Sequence, residues 1–146
     1  MPLQRLNRKS QRQPPAEALE FHERSVRTHP SEPAQWQTQT PVVIENMDEL
    51  AAYFVCFVDD VSEQARAIFA PYDDAFFAER FLVLIYFEEP SGSIFHRVDA
   101  VLEDGTIHIS RHVPEVMTDD EGHWHVVIAL CNSVAVREFN LIVDER

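Results

Sequence analysis

The sequence predicts an α+β fold built on a mainly antiparallel β-sheet, open to a sandwich-like arrangement, with a helical insert ahead of the central strand. Three observations carry that reading. The apolar block 81–87 is short and bounded by turn residues, as a strand buried on both faces requires. Glycine-punctuated returns follow it at Pro90-Ser91-Gly92-Ser93 and Glu103-Asp104-Gly105, which favours antiparallel neighbours. Helical spacing is concentrated between residues 46 and 80, strand-like segments dominate afterwards, and there is no βαβ alternation.

Taken in order, residues 1–16 read as a flexible basic tail and residues 17–146 as one α+β domain. Residues 1–15 are rich in Arg, Gln and Pro and contain no apolar stretch of the kind a secretory signal needs. Residues 18–28 are expected as a strand, and 29–33 as a turn, because Pro30 and Pro33 deny the backbone both helical entry and ladder hydrogen bonds. A second strand is expected over 35–45. Asn46 then caps a helix over 47–57, with Glu49 in capping-box position and Leu50, Tyr53, Phe54 and Phe57 forming a buried stripe. A shorter helix falls within 59–69, and one or two turns capped by an aspartate lie within 73–79. Strands follow at 93–102, 106–113, 123–131 and 138–144. Gly92, Gly105 and Gly122 are expected at turn positions with positive φ.

A chain of 146 residues with 45% hydrophobic and 25% charged residues suits one soluble core, and no apolar run approaches membrane-spanning length. Net charge is −13, spread unevenly: residues 1–30 carry six basic and three acidic residues, leaving six basic against twenty-two acidic, or −16, in the remainder. A surface of that sign repels phosphates, so nucleic acid and membrane insertion are not expected as partners. Cys56 and Cys131 lie in apolar segments and are expected as buried thiols. The chain as given points to a cytoplasmic protein.

Several residues suggest a family. Val26-Arg27-Thr28, Pro41-Val42-Val43-Ile44, Tyr72-Asp73-Asp74-Ala75-Phe76-Phe77, Phe81-Leu82-Val83-Leu84, Glu88-Glu89-Pro90-Ser91-Gly92-Ser93-Ile94, Pro114-Glu115-Val116 and Trp124-His125 together resemble a group of small proteins from clostridial-type bacteria. That group is similar to the C-terminal domain of the protease complex subunit PrcB, across about residues 20–145. The resemblance implies a non-enzymatic domain that binds another protein, a protease or its complex, in an exported or cell-surface setting. The loop at Pro90-Ser91-Gly92-Ser93 departs from the Thr-Gly-Gly-Tyr flavour of PrcB-type domains.

Seven histidines invite a metal reading. Alternation along 106–113 sets Ile107, Ile109 and Val113 against His108, Ser110 and His112; along 123–131 it sets Trp124, Val126, Ile128 and Leu130 against His123 and His125. Pairing the two strands as a hairpin would bring the apolar sets together and place His112 near His123. His112, His123 and His125 are therefore the candidate ligands for zinc, on a face otherwise read as half-exposed and polar. His96 falls with Ile94, Val98, Ala100 and Leu102 and is expected hydrogen-bonded and partly buried. The carboxylate clusters Asp59-Asp60, Asp73-Asp74, Glu88-Glu89 and Asp119-Asp120-Glu121 read as caps or solvated turns, since glycosidase-type chemistry needs two carboxylates across a cleft. With no catalytic or cofactor signature, the first expectation is a non-enzymatic domain without a cofactor. It would bind a protein partner through the loop 88–93 and the adjoining loop 114–124, with Glu89, Pro90, Ser91, Gly92, Ser93 and Trp124 as contact residues.

Overall fold

The computed structural model describes residues 16–29 and 36–146. The basic segment 1–15 and most of the proline-containing turn lie outside these. Among the described residues seven strands and three short α-helices form an α+β fold: β1 (His22–Thr28), β2 (Val42–Ile44), α1 (Met47–Tyr53), α2 (Glu63–Phe69), α3 (Asp74–Glu79), β3 (Arg80–Glu89), β4 (Phe95–Val101), β5 (Thr106–His112), β6 (Gly122–Cys131) and β7 (Asn140–Glu145). A 3-10 turn, Val55–Phe57, extends α1. Among the described residues no helix is long and apolar enough to cross a membrane.

The strands make two sheets. One is four-stranded, in the order β1-β6-β3-β2, and antiparallel throughout; the other has the order β4-β5-β7, with β4–β5 antiparallel and β5–β7 parallel. Strand β3 carries the apolar block, and all seven side chains from Phe81 to Phe87 are buried. Because successive side chains point to opposite faces, the block feeds two cores. Phe81, Val83, Ile85 and Phe87 pack with Val126, Ile128 and Leu130 of β6 against Val98, Val101, Ile107 and Ile109 of the second sheet. Leu82, Leu84 and Tyr86 pack against Leu50, Phe54, Phe57, Ile68 and Phe77 of the helical layer. The result is three layers: helices, central sheet, outer sheet. Each buried Leu, Ile or Phe side chain removes enough apolar surface from water to favour folding by about 1.5–3 kcal/mol.

Local chemistry sets the helix starts. Asn46 Oδ1 accepts from the Glu49 amide at 2.8 Å, Ser62 Oγ from the Ala65 amide at 3.2 Å, and Asp73 Oδ1 from the Phe76 amide at 2.7 Å. The Glu49 carboxylate reaches back one residue beyond the cap and accepts from the Glu45 amide at 2.7 Å. Helix α1 tightens after Tyr53, and the 3-10 turn still delivers Phe57 to the same buried side as Leu50 and Phe54.

Several sequence expectations are corrected. Strands β5 and β6 do not pair: β5 lies between β4 and β7 in the outer sheet, whereas β6 lies between β1 and β3 in the central one. The second strand is shorter than 35–45, with ladder pairing only at Val42–Ile44 and an isolated bridge from Thr38 to Tyr86. A bulge between Val98 and Ala100 breaks the alternation of β4, so Val98 and Val101 both face inward. Positive φ among the glycines occurs at Gly105 alone. Cys56 and Cys131 are exposed at the surface.

Candidate functional site

The two loops expected to form a working surface are laced together at one end of the molecule. The Gly92 amide donates to the Asp120 carbonyl at 2.7 Å, and the Ser91 and Thr118 hydroxyls meet at 3.0 Å. Ser91 and Ser93 hydroxyls are 2.7 Å apart, and the Thr118 amide donates to Ser93 Oγ at 3.3 Å. Arg27, from the end of β1, closes the arrangement by donating to Asp120 Oδ2 at 2.6 Å and to the Glu121 carbonyl at 2.9 Å. Its guanidinium also stands 5.6 Å from the centre of the Trp124 ring. The Thr118 hydroxyl and then Arg27 hold the Asp120 carboxyl down at about 2. Gly122 permits the close crossing, since a Cβ there would press on Trp124 Nε1 and on the backbone of Ser91 and Gly92.

Of the predicted contact residues, Ser91 and Glu89 are buried, Gly92, Ser93 and Trp124 are half-buried, and Pro90 is exposed. The polar residues of the tip thus brace the loops against each other. Alongside the exposed acids Glu88, Glu115, Asp119, Asp120 and Glu121, the platform displays apolar side chains: Val116 is 86% exposed, Met117 and Phe95 each 51%, and Val113 stands beside them in sequence, also exposed. Phe95 is held in place by stacking on His112, ring centres 4.6 Å apart and nearly parallel.

Beneath the platform the two sheets are clasped by a buried ion network. Glu89, at the end of β3, accepts from Arg111 Nε and Nη2 of β5 at 2.9–3.1 Å and meets His96 Nε2 of β4 at 2.5 Å. Arg111 also donates to Glu145 of β7 at 2.7 Å. Burial alone would raise the Glu89 carboxyl, but the bonds from Arg111 and His96 outweigh it and hold it below its ordinary value. Burial pushes the His96 imidazole down despite its carboxylate neighbour. His96 is buried and stacks on Phe87 at 4.0 Å, as a hydrogen-bonded core histidine.

The remaining histidines are placed differently from expectation. His123 and His125 share a face of β6, but that face is roofed by the helical layer and both are buried. His125 is enclosed by Trp36, Tyr53, Phe54 and Tyr86. Its Nδ1 lies 2.9 Å from the Tyr53 hydroxyl and its Nε2 lies 3.0 Å from Thr28 Oγ1. Thr28 Oγ1 also donates to the His123 carbonyl at 3.5 Å. Burial, and then the neighbouring His123, push His125 down to about 3, so it is neutral. His123 Nδ1 meets the Tyr86 hydroxyl at 2.7 Å. Burial and then Glu88 and Glu121 raise that phenol to about 12, while burial and then Tyr86 push Tyr53 higher still.

His112, in the other sheet, is not brought to this pair. The pairing that would have joined it to His123 does not form, and no cluster of three His, Cys, Asp or Glu residues able to hold a metal ion occurs among the described residues. Sequence reasoning missed Arg27 and Arg111, which meet Asp120 and Glu89 only through the tertiary fold, and the local bond from Thr118 to Asp120. The scarcity of cations was the available signal: few basic residues face many acids, and Arg27, Arg111 and Arg137 each pair with a carboxylate, while the half-buried Arg24 donates to a carbonyl and a hydroxyl. No family model, curated protein or solved structure matches this chain.

Proposed function

We propose that the chain is a non-enzymatic protein-interaction domain whose working face is the platform of the loops 88–93 and 114–124. The observation that supports this best is the contrast within the platform. Ser91, Ser93, Thr118 and Arg27 are spent on bracing, while Phe95, Val113, Val116 and Met117 stand exposed beside them. Exposed apolar side chains on a pre-organised surface contribute binding energy without the ordering cost that a mobile loop incurs. Aromatic and methionine side chains are also enriched at the centres of protein interfaces. The sequence resemblance to the PrcB C-terminal domain favours a protease or a protease-associated protein as the partner. The buried histidines fit a structural role on this reading, since both ring nitrogens of His125 are committed to Tyr53 and Thr28.

The test is quantitative co-purification from the native source with tagged wild-type protein, Val116→Asp/Met117→Asp, and Ile142→Asp as a control on the exposed face of β7. Val116 and Met117 are exposed, so the double variant should fold with wild-type stability. A partner held stoichiometrically by wild type and by Ile142→Asp, and lost from the double variant, is the expected result. Retention of that partner by the double variant would remove the platform from the interaction.

A further inference from the structure

A second surface lies on the helical layer. A groove of about 430 Å³ runs between the segment after α1 and helix α2. Its apolar lining includes Met47, Val58, Val61, Phe69 and Tyr72. Val61 is 86% exposed, and Val58 is also open to solvent. Two valines at such exposure beside half-buried aromatic rings form an apolar strip that this chain leaves uncovered among its described residues.

The electrostatics around the strip are one-sided. Each lining segment is adjoined by acid in the sequence: Asp48 after Met47, Asp59 and Asp60 between Val58 and Val61, Glu63 two residues on, and Asp73 and Asp74 after Tyr72. Over residues 45–79 nine acidic residues face one basic residue, a net of −8. The cations at hand are engaged locally. Arg66 donates to the Val61 carbonyl at 3.5 Å, and Arg24 donates to the Ala67 carbonyl at 2.7 Å and to the Tyr72 hydroxyl at 3.3 Å.

We propose that this groove docks a basic peptide segment of a partner protein, with apolar anchor side chains seated on Val58, Val61 and Phe69 and cationic flanks facing the acidic rim. The volume suits about two or three leucine-sized anchors. Charge complementarity selects the sign of the partner and steers its approach, while the anchors supply the short-range affinity. An acidic or a purely polar segment satisfies only one half of that description, and a second copy of this chain would bring its own acidic rim against this one.

The probe is a synthetic twelve-residue peptide of leucine and lysine, followed by fluorescence anisotropy with the full chain. Two controls replace its leucines by serine or its lysines by glutamate, and the protein variant is Val58→Ser/Val61→Ser. Both valines are exposed, and a urea melt checks that the variant folds as wild type does. The leucine–lysine peptide should bind saturably, weaken as salt is raised, and lose about tenfold or more in affinity on the double variant. Both control peptides should fail to saturate. Equal affinity for wild type and the double variant, or equal binding of the serine peptide, would overturn the proposal by reducing it to attraction between net charges. Sedimentation of wild type as a dimer that Val58→Ser/Val61→Ser dissolves would also overturn it, by assigning the groove to a second copy.

Discussion

Mild acid should destabilise this protein through His125. The imidazole is 0% exposed, enclosed by four aromatic rings, with both nitrogens engaged and its basicity pushed down by burial to about 3. In the unfolded chain a histidine takes up its proton near about 6.5. Between those two values the unfolded state binds one proton more than the folded state, so stability rises with pH and is lost as pH falls. Each unit below about 6.5 removes about 1.4 kcal/mol, or about 2 kcal/mol by pH 5, out of a total of about 5–15 kcal/mol. His96 is pushed in the same direction by burial and adds to the slope. Glu89, whose carboxyl is held below its ordinary value, loses its contribution further into acid, as pH falls from the ordinary carboxylate range toward its lowered folded value. The His125 part is isolated by difference, using His125→Gln, whose amide keeps one donor and one acceptor but does not titrate. Urea unfolding at pH 7, 6 and 5 gives both slopes. The variant should be less stable at pH 7, yet wild type should lose about 2 kcal/mol more than the variant between pH 7 and pH 5. Parallel slopes would refute the neutral, sealed imidazole described above.

Leu84→Ala should cost about 2–5 kcal/mol in a denaturant melt, because Leu84 is fully buried between Val42, Val127 and the helical layer and the gap cannot fully collapse. His108→Ala, on the outward face of β5, should change the same melt by less than about 0.5 kcal/mol. Gly105→Ala should destabilise by more than about 1 kcal/mol, since φ there is +95° and an added Cβ would run into the Glu138 carbonyl. A near-neutral Gly105→Ala melt would mean that the backbone at 105 does not hold a positive φ against the Glu138 carbonyl.

What the sequence made legible follows from which signals are local. The doubly buried strand, the caps at Asn46 and Asp73, and the stripe of Leu50, Phe54 and Phe57 each depend on residues within a few positions of one another. The meeting of the loops at Ser91 and Thr118 does not: it follows from the pairing of β3 with β6, whose adjacent ends the loops leave. Strand pairing is not local in that sense. Alternation along β5 and β6 places Ile107 and Ile109, and Val126, Ile128 and Leu130, inward, while Val113 and Trp124 of the same expected sets are not buried. Those two apolar sets do meet, but across the space between two sheets. Hydrophobic contact between two strands is the same observation whether they are neighbours in one sheet or face each other in a sandwich, and periodicity cannot distinguish the cases.

The same ambiguity decided the histidines. A strand face that carries His123 and His125 reads as polar, and in a two-layer protein polar means wet. Here a third layer covers it, and hydroxyls from that layer and from the neighbouring strands make polar burial tolerable. The Tyr53 hydroxyl comes from α1 and the Thr28 hydroxyl from β1, and together they satisfy His125; the Tyr86 hydroxyl of β3 satisfies His123. A buried imidazole without those partners would cost about 1–3 kcal/mol for each nitrogen left unpaired. The tyrosines at 53 and 86 therefore complete the aromatic layer while supplying the polar groups that the histidines require. Phenylalanine would serve the first role and fail the second, which is why the helix stripe and the central strand each carry one hydroxyl among otherwise apolar rings.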